Sequence, residues 1–265
     1  MSIISSIQAI QVIDSRGTPT VSCKIVLENG LSATSMVPSG ASTGSREALE
    51  LRDGSDSFMG KGVTKAITNI QEIIAPALIG VDVTNQQEID EKMIALDGTS
   101  SKSKLGANAI LGVSLAVLNL AAKSLGLPLY RYINKVFNDI NGVNLVMQMP
   151  VPMLNIINGG EHADNNLDIQ EFMIMPVGAN NFYQAMQWST EIYSNLKQLL
   201  QTKGLSTSVG DEGGFAPNLS SNDEAIELII TAIRNNKLEE GKDVGIALDC
   251  AASEFYNNGI YYLKG

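Results

Sequence analysis

Apolar and polar positions alternate near the N-terminus and then fall into helical stripes. Within 6–37, Val21, Cys23 and Ile25 alternate with Ser22 and Lys24, the period-two signature of a half-buried strand. Asn29-Gly30 supplies residues that tolerate positive φ in a tight hairpin turn, so an N-terminal antiparallel meander is expected. The run SGASTGS (39–45) has no apolar period, and helical patterns follow over 63–79, 86–96 and 105–124. The second opens with Thr84 three residues before Gln87, a capping-box spacing. Residues 1–138 therefore read as one α+β domain, strands first and helices after.

From Gln148 the pattern changes. MPVPMLNII and DIQEFMIMPV are short apolar runs, an amphipathic helix covers 182–203, and SVGDEGGFAP follows. A helix over 222–235 starts at Ser221 with Glu224 at capping spacing, and DVGIALDCAASEF is the next apolar run. Apolar strands alternating with helices predict parallel βαβ units, an open α/β sheet or a (βα) barrel, over 143–265. A TIM-type barrel takes ~250 residues, so this second domain holds about half of one. The fold class is thus an α+β N-terminal domain followed by an incomplete α/β, TIM-like barrel.

Composition removes several classes of function. With 44% hydrophobic and 17% charged residues the chain is not disordered as a whole. A net charge of −10 has the wrong sign for gripping phosphate backbones, which disfavours nucleic acid as a partner. Cys23 and Cys250 form no CxxC motif and no disulfide-rich array, which suits a reducing compartment, the cytoplasm. The N-terminus has no cation before Arg16 and does not read as a secretory signal. The uncharged stretches 105–122, 140–160 and 172–190 are broken by Gly, Pro and Asn, which favours core elements over membrane spans.

Charge is expensive in an apolar strand, yet carboxylates recur there. Glu171 lies inside IQEFMIM, Asp211 and Glu212 end SVGDEGG, and Asp249 ends VGIALD. On strands that all point one way, these groups gather at the carboxyl ends, where barrel active sites are built. Each alone also reads as a solvated strand end; their recurrence in successive runs argues for a cluster. Such a cluster repels itself unless a cation joins it, and hard oxygen ligands suit Mg2+. A carboxyl with a raised pKa also serves as a general acid or base, with Glu171 and Glu212 as the candidates. His162, the single histidine, sits in the Gly- and Asn-rich NGGEHADNN stretch leading to Glu171. No Walker or GxGxxG fingerprint is present. SGASTGS reads either as a linker or as a mobile lid whose Ser42 or Thr43 reaches a metal or an anionic ligand. Gly213 and Gly214 fit close backbone approach at a site, or a plain turn.

Seven strings in order, IDSRGTPTV, VPSGASTG, KSKLGANAILGVSLA, NGGEHADNN, QEFMI, GDEGGFAP and LDCAASEF, together resemble the enolase (phosphopyruvate hydratase) family along essentially the whole chain. The resemblance implies an N-terminal capping domain and a barrel opening with two adjacent strands. It also implies a Mg2+-dependent, reversible dehydration of 2-phosphoglycerate to phosphoenolpyruvate, and a homodimer formed through the N-terminal domain. By motif, Glu212 resembles the general acid that helps hydroxide leave, and Glu171 the carboxylate working beside it. Asp249 resembles a ligand of the first Mg2+, Ser42 the lid serine that joins the second, and His162 the loop histidine that closes over the substrate. Gln170 belongs to the same site by resemblance. The later barrel strands, which in enolases bring further Mg2+ carboxylates, the Lys that removes the proton and the groups that hold the substrate, are absent from these residues. Two readings follow: an enolase seen in part, or a catalytically incomplete chain that acts only as a binding or assembly module.

Overall fold

The structure, a computed structural model, describes residues 2–40 and 42–263. The chain forms two compact units, one of 2–40 with 46–147 and the other of 42–45 with 148–263.

The first unit opens with the expected meander. Strands β1 (Ile4–Ile13), β2 (Pro19–Leu27) and β3 (Ser32–Met36) pair antiparallel in that order. Leu31 N–H donates to Asn29 Oδ1 at 3.0 Å, and Gly30 takes φ +83° in the β2–β3 turn. Val21, Cys23 and Ile25 are fully buried, as their alternation requires. Helix α4 (Ala107–Ser124) lies across β2 and β3 and buries Ala109, Val113, Ala116, Val117 and Leu120 against them. It is long and apolar enough to cross a membrane, but half of it is buried here; it is the core helix of this unit.

Two local expectations are corrected. The helix over 63–79 is α1 (Thr64–Asn69) and α2 (Ala75–Leu78) joined by a π turn at Ile70–Ile74. Pro76 has no N–H to offer an i→i−4 bond, which favours widening of the preceding turn. At the start of α3 (Gln86–Asp97) the Thr84–Gln87 capping box does not form. Thr84 Oγ1 donates to Asp82 Oδ1 at 2.8 Å, and Gln87 Nε2 reaches forward to Glu91 at 2.8 Å. The carboxylate two residues back is the stronger acceptor. A fifth helix, α5 (Leu129–Asn141), starts after Pro128 and buries Tyr132.

In the second unit β4 (Leu154–Asn158), β5 (Glu171–Met175) and β6 (Gly245–Asp249) form one sheet in that order. Helices α6 (Phe182–Thr202) and α7 (Asn222–Asn235) intervene between β5 and β6. Among the described residues the expected parallel pairing is not found between the ladder strands, where β5 is antiparallel to both neighbours, and is confined to isolated bridges such as Ile157–Phe215. Parallel neighbours need a long crossover, usually a helix, and β4–β5 is bridged only by an irregular loop with a 3-10 turn at Gly160–His162, so β5 returns beside β4. SVGDEGGFAP is not a ladder strand; it touches the sheet through an isolated parallel bridge of Phe215 with Ile157 and closes on itself through one of Phe215 with Val209. A short hairpin, β7 (Tyr256–Asn257) and β8 (Ile260–Tyr261), follows β6. One sheet face, with Ile157, Phe172 and Ile174, packs on Ile192, Leu196, Ile229 and Ile233 of α6 and α7. The side chains at Glu171 and Met173 alternate to the other face.

Candidate active site

Reversal of β5 changes which strand end matters. Register pairs Asn158 with Glu171 and Glu171 with Asp249. The start of β5 therefore lies beside the ends of β4 and β6, and the three polar residues form one row on one face, as directly opposed antiparallel residues do. The carboxylates still gather at one end of the sheet, for a different reason than uniform strand direction.

Two loops close over this row. The loop after β4 is pinned by its asparagines: Asn165 Nδ2 donates to Asn158 O at 2.9 Å and Pro217 O at 3.1 Å, while Asn166 exchanges hydrogen bonds with the Leu219 backbone. The second loop, 210–214, folds over the first, with Asp211 N–H donating to His162 O at 3.1 Å. Its glycines are needed for close approach. A Cβ at Gly210 would stand 2.5 Å from His162 O, and one at Gly214 would stand 2.5 Å from Asn158 Oδ1. Tyr193 of α6 supports the loop from below, donating to Gly213 O at 2.9 Å and stacking on Phe215 at 4.4 Å between centroids.

The result is a trio. His162 Nδ1 lies 3.4 Å from Glu171 Oε1 and 3.8 Å from Glu212 Oε2, and one ligand atom of each residue lies within 4.8 Å of the others. His162 is buried in the strand–strand connection from β4 to β5, under the 210–214 loop. Burial pushes the Glu171 carboxyl up to about 7, and close approach to the Glu212 carboxylate, with Asp249 behind it, adds to the shift. A carboxyl raised in this way keeps its proton closer to neutrality, beside a second carboxylate. Glu171 is nearly enclosed at 13% exposure while Glu212 is open at 49%, so Glu212 is the oxygen with access to a bound molecule.

The other expected residues fall around the trio. Gln170 is buried beside Glu171 with Oε1 unpaired. Asp249 is exposed and accepts from Ala251 N–H at 2.9 Å. Ser42 is half-buried in the 42–45 segment, which groups with this unit, while Thr43 and Asp211 are exposed and stand outside the trio.

Comparison with known proteins accounts for both units. Residues 4–133 match "Enolase, N-terminal domain" and residues 146–265 match "Enolase, C-terminal TIM barrel domain". The chain belongs to the enolase family. The curated "Enolase" of Mycoplasmoides gallisepticum is 57% identical over 254 residues, 96% of this chain and 53% of its own length. The chain thus spans about half the length of that relative. In enolase terms the first unit is the α+β N-terminal domain, and the antiparallel β4–β5 pair opens the barrel domain.

Sequence reading passed over Asn158 and Tyr193 in this site. Asn158 ends an apolar strand, as Asp249 does, and that shared signal was available. Tyr193 lies mid-helix with nothing in its neighbourhood to mark it.

Proposed function

We propose that this chain carries part of the active centre of a Mg2+-dependent lyase that reversibly removes water from 2-phosphoglycerate to give phosphoenolpyruvate. The observation that carries the reading is the trio: an enclosed Glu171 held near 7, an open Glu212 beside it and a buried imidazole touching both. Loss of the proton at C2 leaves negative charge beside a carboxylate, and loss of the C3 hydroxyl needs a proton to make water. The Glu171–Glu212 pair supplies that proton, with Glu212 delivering it and Glu171 orienting the hydroxyl. His162 lines the same space and closes over the leaving group, with Gln170 beside it.

The donor set fits a hard divalent cation, since carboxylate oxygens of Glu171 and Glu212 and a His162 ring nitrogen lie within 4.8 Å of one another with no lysine or arginine in the trio. Asp249 would hold the first Mg2+ and Ser42 the second. Mg2+, when bound, stabilises the charge that develops on the substrate carboxylate. We assign the capping function to 1–138 and the barrel chemistry to 143–265, in a cytoplasmic homodimer. The Lys that takes the C2 proton belongs, by the family resemblance, to barrel strands beyond these three. The second reading is a catalytically incomplete binding or assembly module.

Absorbance assay of phosphoenolpyruvate formation by the purified chain, with and without Mg2+ and with Glu212→Gln as control, separates the two. Mg2+-dependent turnover that falls at least 100-fold in Glu212→Gln supports the lyase. Turnover only when the remaining barrel strands are supplied on a longer chain means an enolase seen in part, whereas no turnover together with association to a complementary barrel fragment supports the module reading. Full activity in Glu212→Gln on the longer chain removes Glu212 from the mechanism.

A further inference from the structure

Asn158 is wholly buried, yet neither its Nδ2 nor its Oδ1 has a hydrogen-bond partner among the described residues. A buried amide left unpaired costs free energy, whereas an apolar side chain of similar size fills the same space without that cost. Packing alone does not account for an amide here. Its surroundings do. Asn158 opposes Glu171 across β4–β5, which puts the two side chains on one face at cross-strand contact distance. Its N–H donates to Phe215 O at 2.9 Å and its C=O accepts from Asn165 Nδ2 at 2.9 Å, so both loops of the site are tied to this one residue. Gly210 and Gly214 bracket the side chain: a Cβ at these positions would lie 2.9 Å from Asn158 Cβ and 2.5 Å from Oδ1.

We propose that Asn158 is a positioning residue of this site, its Nδ2–H holding the Glu171 carboxyl toward Glu212 and His162 through one enclosed bridging water. A polar, enclosed gap between an amide and a carboxyl is where a buried water finds the two or more partners it needs. Held this way, Glu171 keeps one orientation while Glu212, on its loop, stays free to meet substrate. The inference rests on the reading of the trio as acid–base machinery, but its test needs no turnover, so the two fail separately.

His162 is the single histidine of the chain, and its imidazole 15N and 1H signals report this site alone. The intact chain is compared with Asn158→Leu, Asn158→Asp and, as a control, Asn155→Leu, at one fixed pH. Asn155 is likewise unpaired and half-buried but opposes Met173, beyond the bulge in β4. The expected result is that Asn158→Leu and Asn158→Asp both move the imidazole signals while Asn155→Leu leaves them in place. The Asn158 side-chain NH2 protons should also exchange at least tenfold more slowly than those of exposed asparagines, and shift in Glu171→Gln. Unmoved imidazole signals in both Asn158 variants overturn the proposal, as does an equal effect from Asn155→Leu. Should Asn158→Leu not fold, Asn158→Asp, which keeps the shape and lacks the N–H, decides by the same signals.

Discussion

Glu171 and Asp97 are both carboxylates with little access to water, and their partners push them in opposite directions. Burial of Asp97 opposes its charge, but N–H groups of Leu105, Thr99 and Lys104 and the Thr99 hydroxyl point at it and hold it below the usual carboxylate range. The hydrogen bonds win because several donors converge on one small anion. Glu171 has no such convergence of backbone N–H groups among the described residues; burial, with the Glu212 and Asp249 carboxylates near it, raises it. A carboxyl lowered by folding gives stability that is present above its unfolded value and lost as pH falls through the folded one. Asp97→Asn should thus cost roughly 1–3 kcal/mol at pH 7 and less as the pH drops below about 4, measured as unfolding midpoints across pH. An equal cost at every pH would remove the charge from the argument. Asp249 makes the complementary case for the metal. If it is a ligand, Asp249→Asn lowers Mg2+ affinity at least tenfold by calorimetry; unchanged affinity would withdraw the assignment.

At the scale of elements, the start of α7 shows how far sequence reaches. Ser221 accepts from Glu224 N–H at 3.2 Å, and the Glu224 carboxylate takes the Ser220 N–H and hydroxyl, each at 2.8 Å. Ser221→Ala should cost about 1 kcal/mol by thermal unfolding, while Thr84→Ala, at the capping spacing that does not form, should leave the N-cap of α3 untouched. The Ser221 cap was legible because its partners are its own neighbours. Thr84 was misleading because Asp82 competes for it from the N-terminal side. The β1–β3 meander, α4, α6 and α7 were legible for the same local reason, through period and turn chemistry. The direction of β5 was not, since strand polarity is set by the connection and the packing partner, and a period-two pattern reads alike in both directions. α5 was passed over although Leu129, Ile133, Phe137 and Ile140 recur at helical spacing, and these positions stay exposed in the structure. Of the site, Glu171, Glu212 and His162 were legible as chemistry out of place, and their meeting was not, because it depends on the 210–214 loop folding back onto β4.

Across the whole chain, each unit has its own apolar core, and each carries a private reporter. Trp188, the one tryptophan, packs against the core of the second unit. Cys23 is fully buried in the first, with burial pushing its thiol up to about 12, so it stays unreactive until that core opens. Cys250 is half-buried and reacts first, leaving the slow thiol as the signal. The second unit has the smaller core, keeps unpaired amides at Asn155 and Asn158, and crowds carboxylates at one sheet end. These are costs the first unit does not carry on that scale. In urea, Trp188 fluorescence should therefore change at a lower midpoint than Cys23 labelling, breaking two-state behaviour. Mg2+ at a hundredfold its dissociation constant should raise the Trp188 midpoint alone, through the ~2.7 kcal/mol of unfolding free energy that mass action gives to a ligand bound only by the folded form. Coincident midpoints would mean that the two cores open as one cooperative body. A Mg2+ shift seen at Cys23 and not at Trp188 would place the cation outside the carboxylate cluster, and with it would go the metal assignment of Asp249.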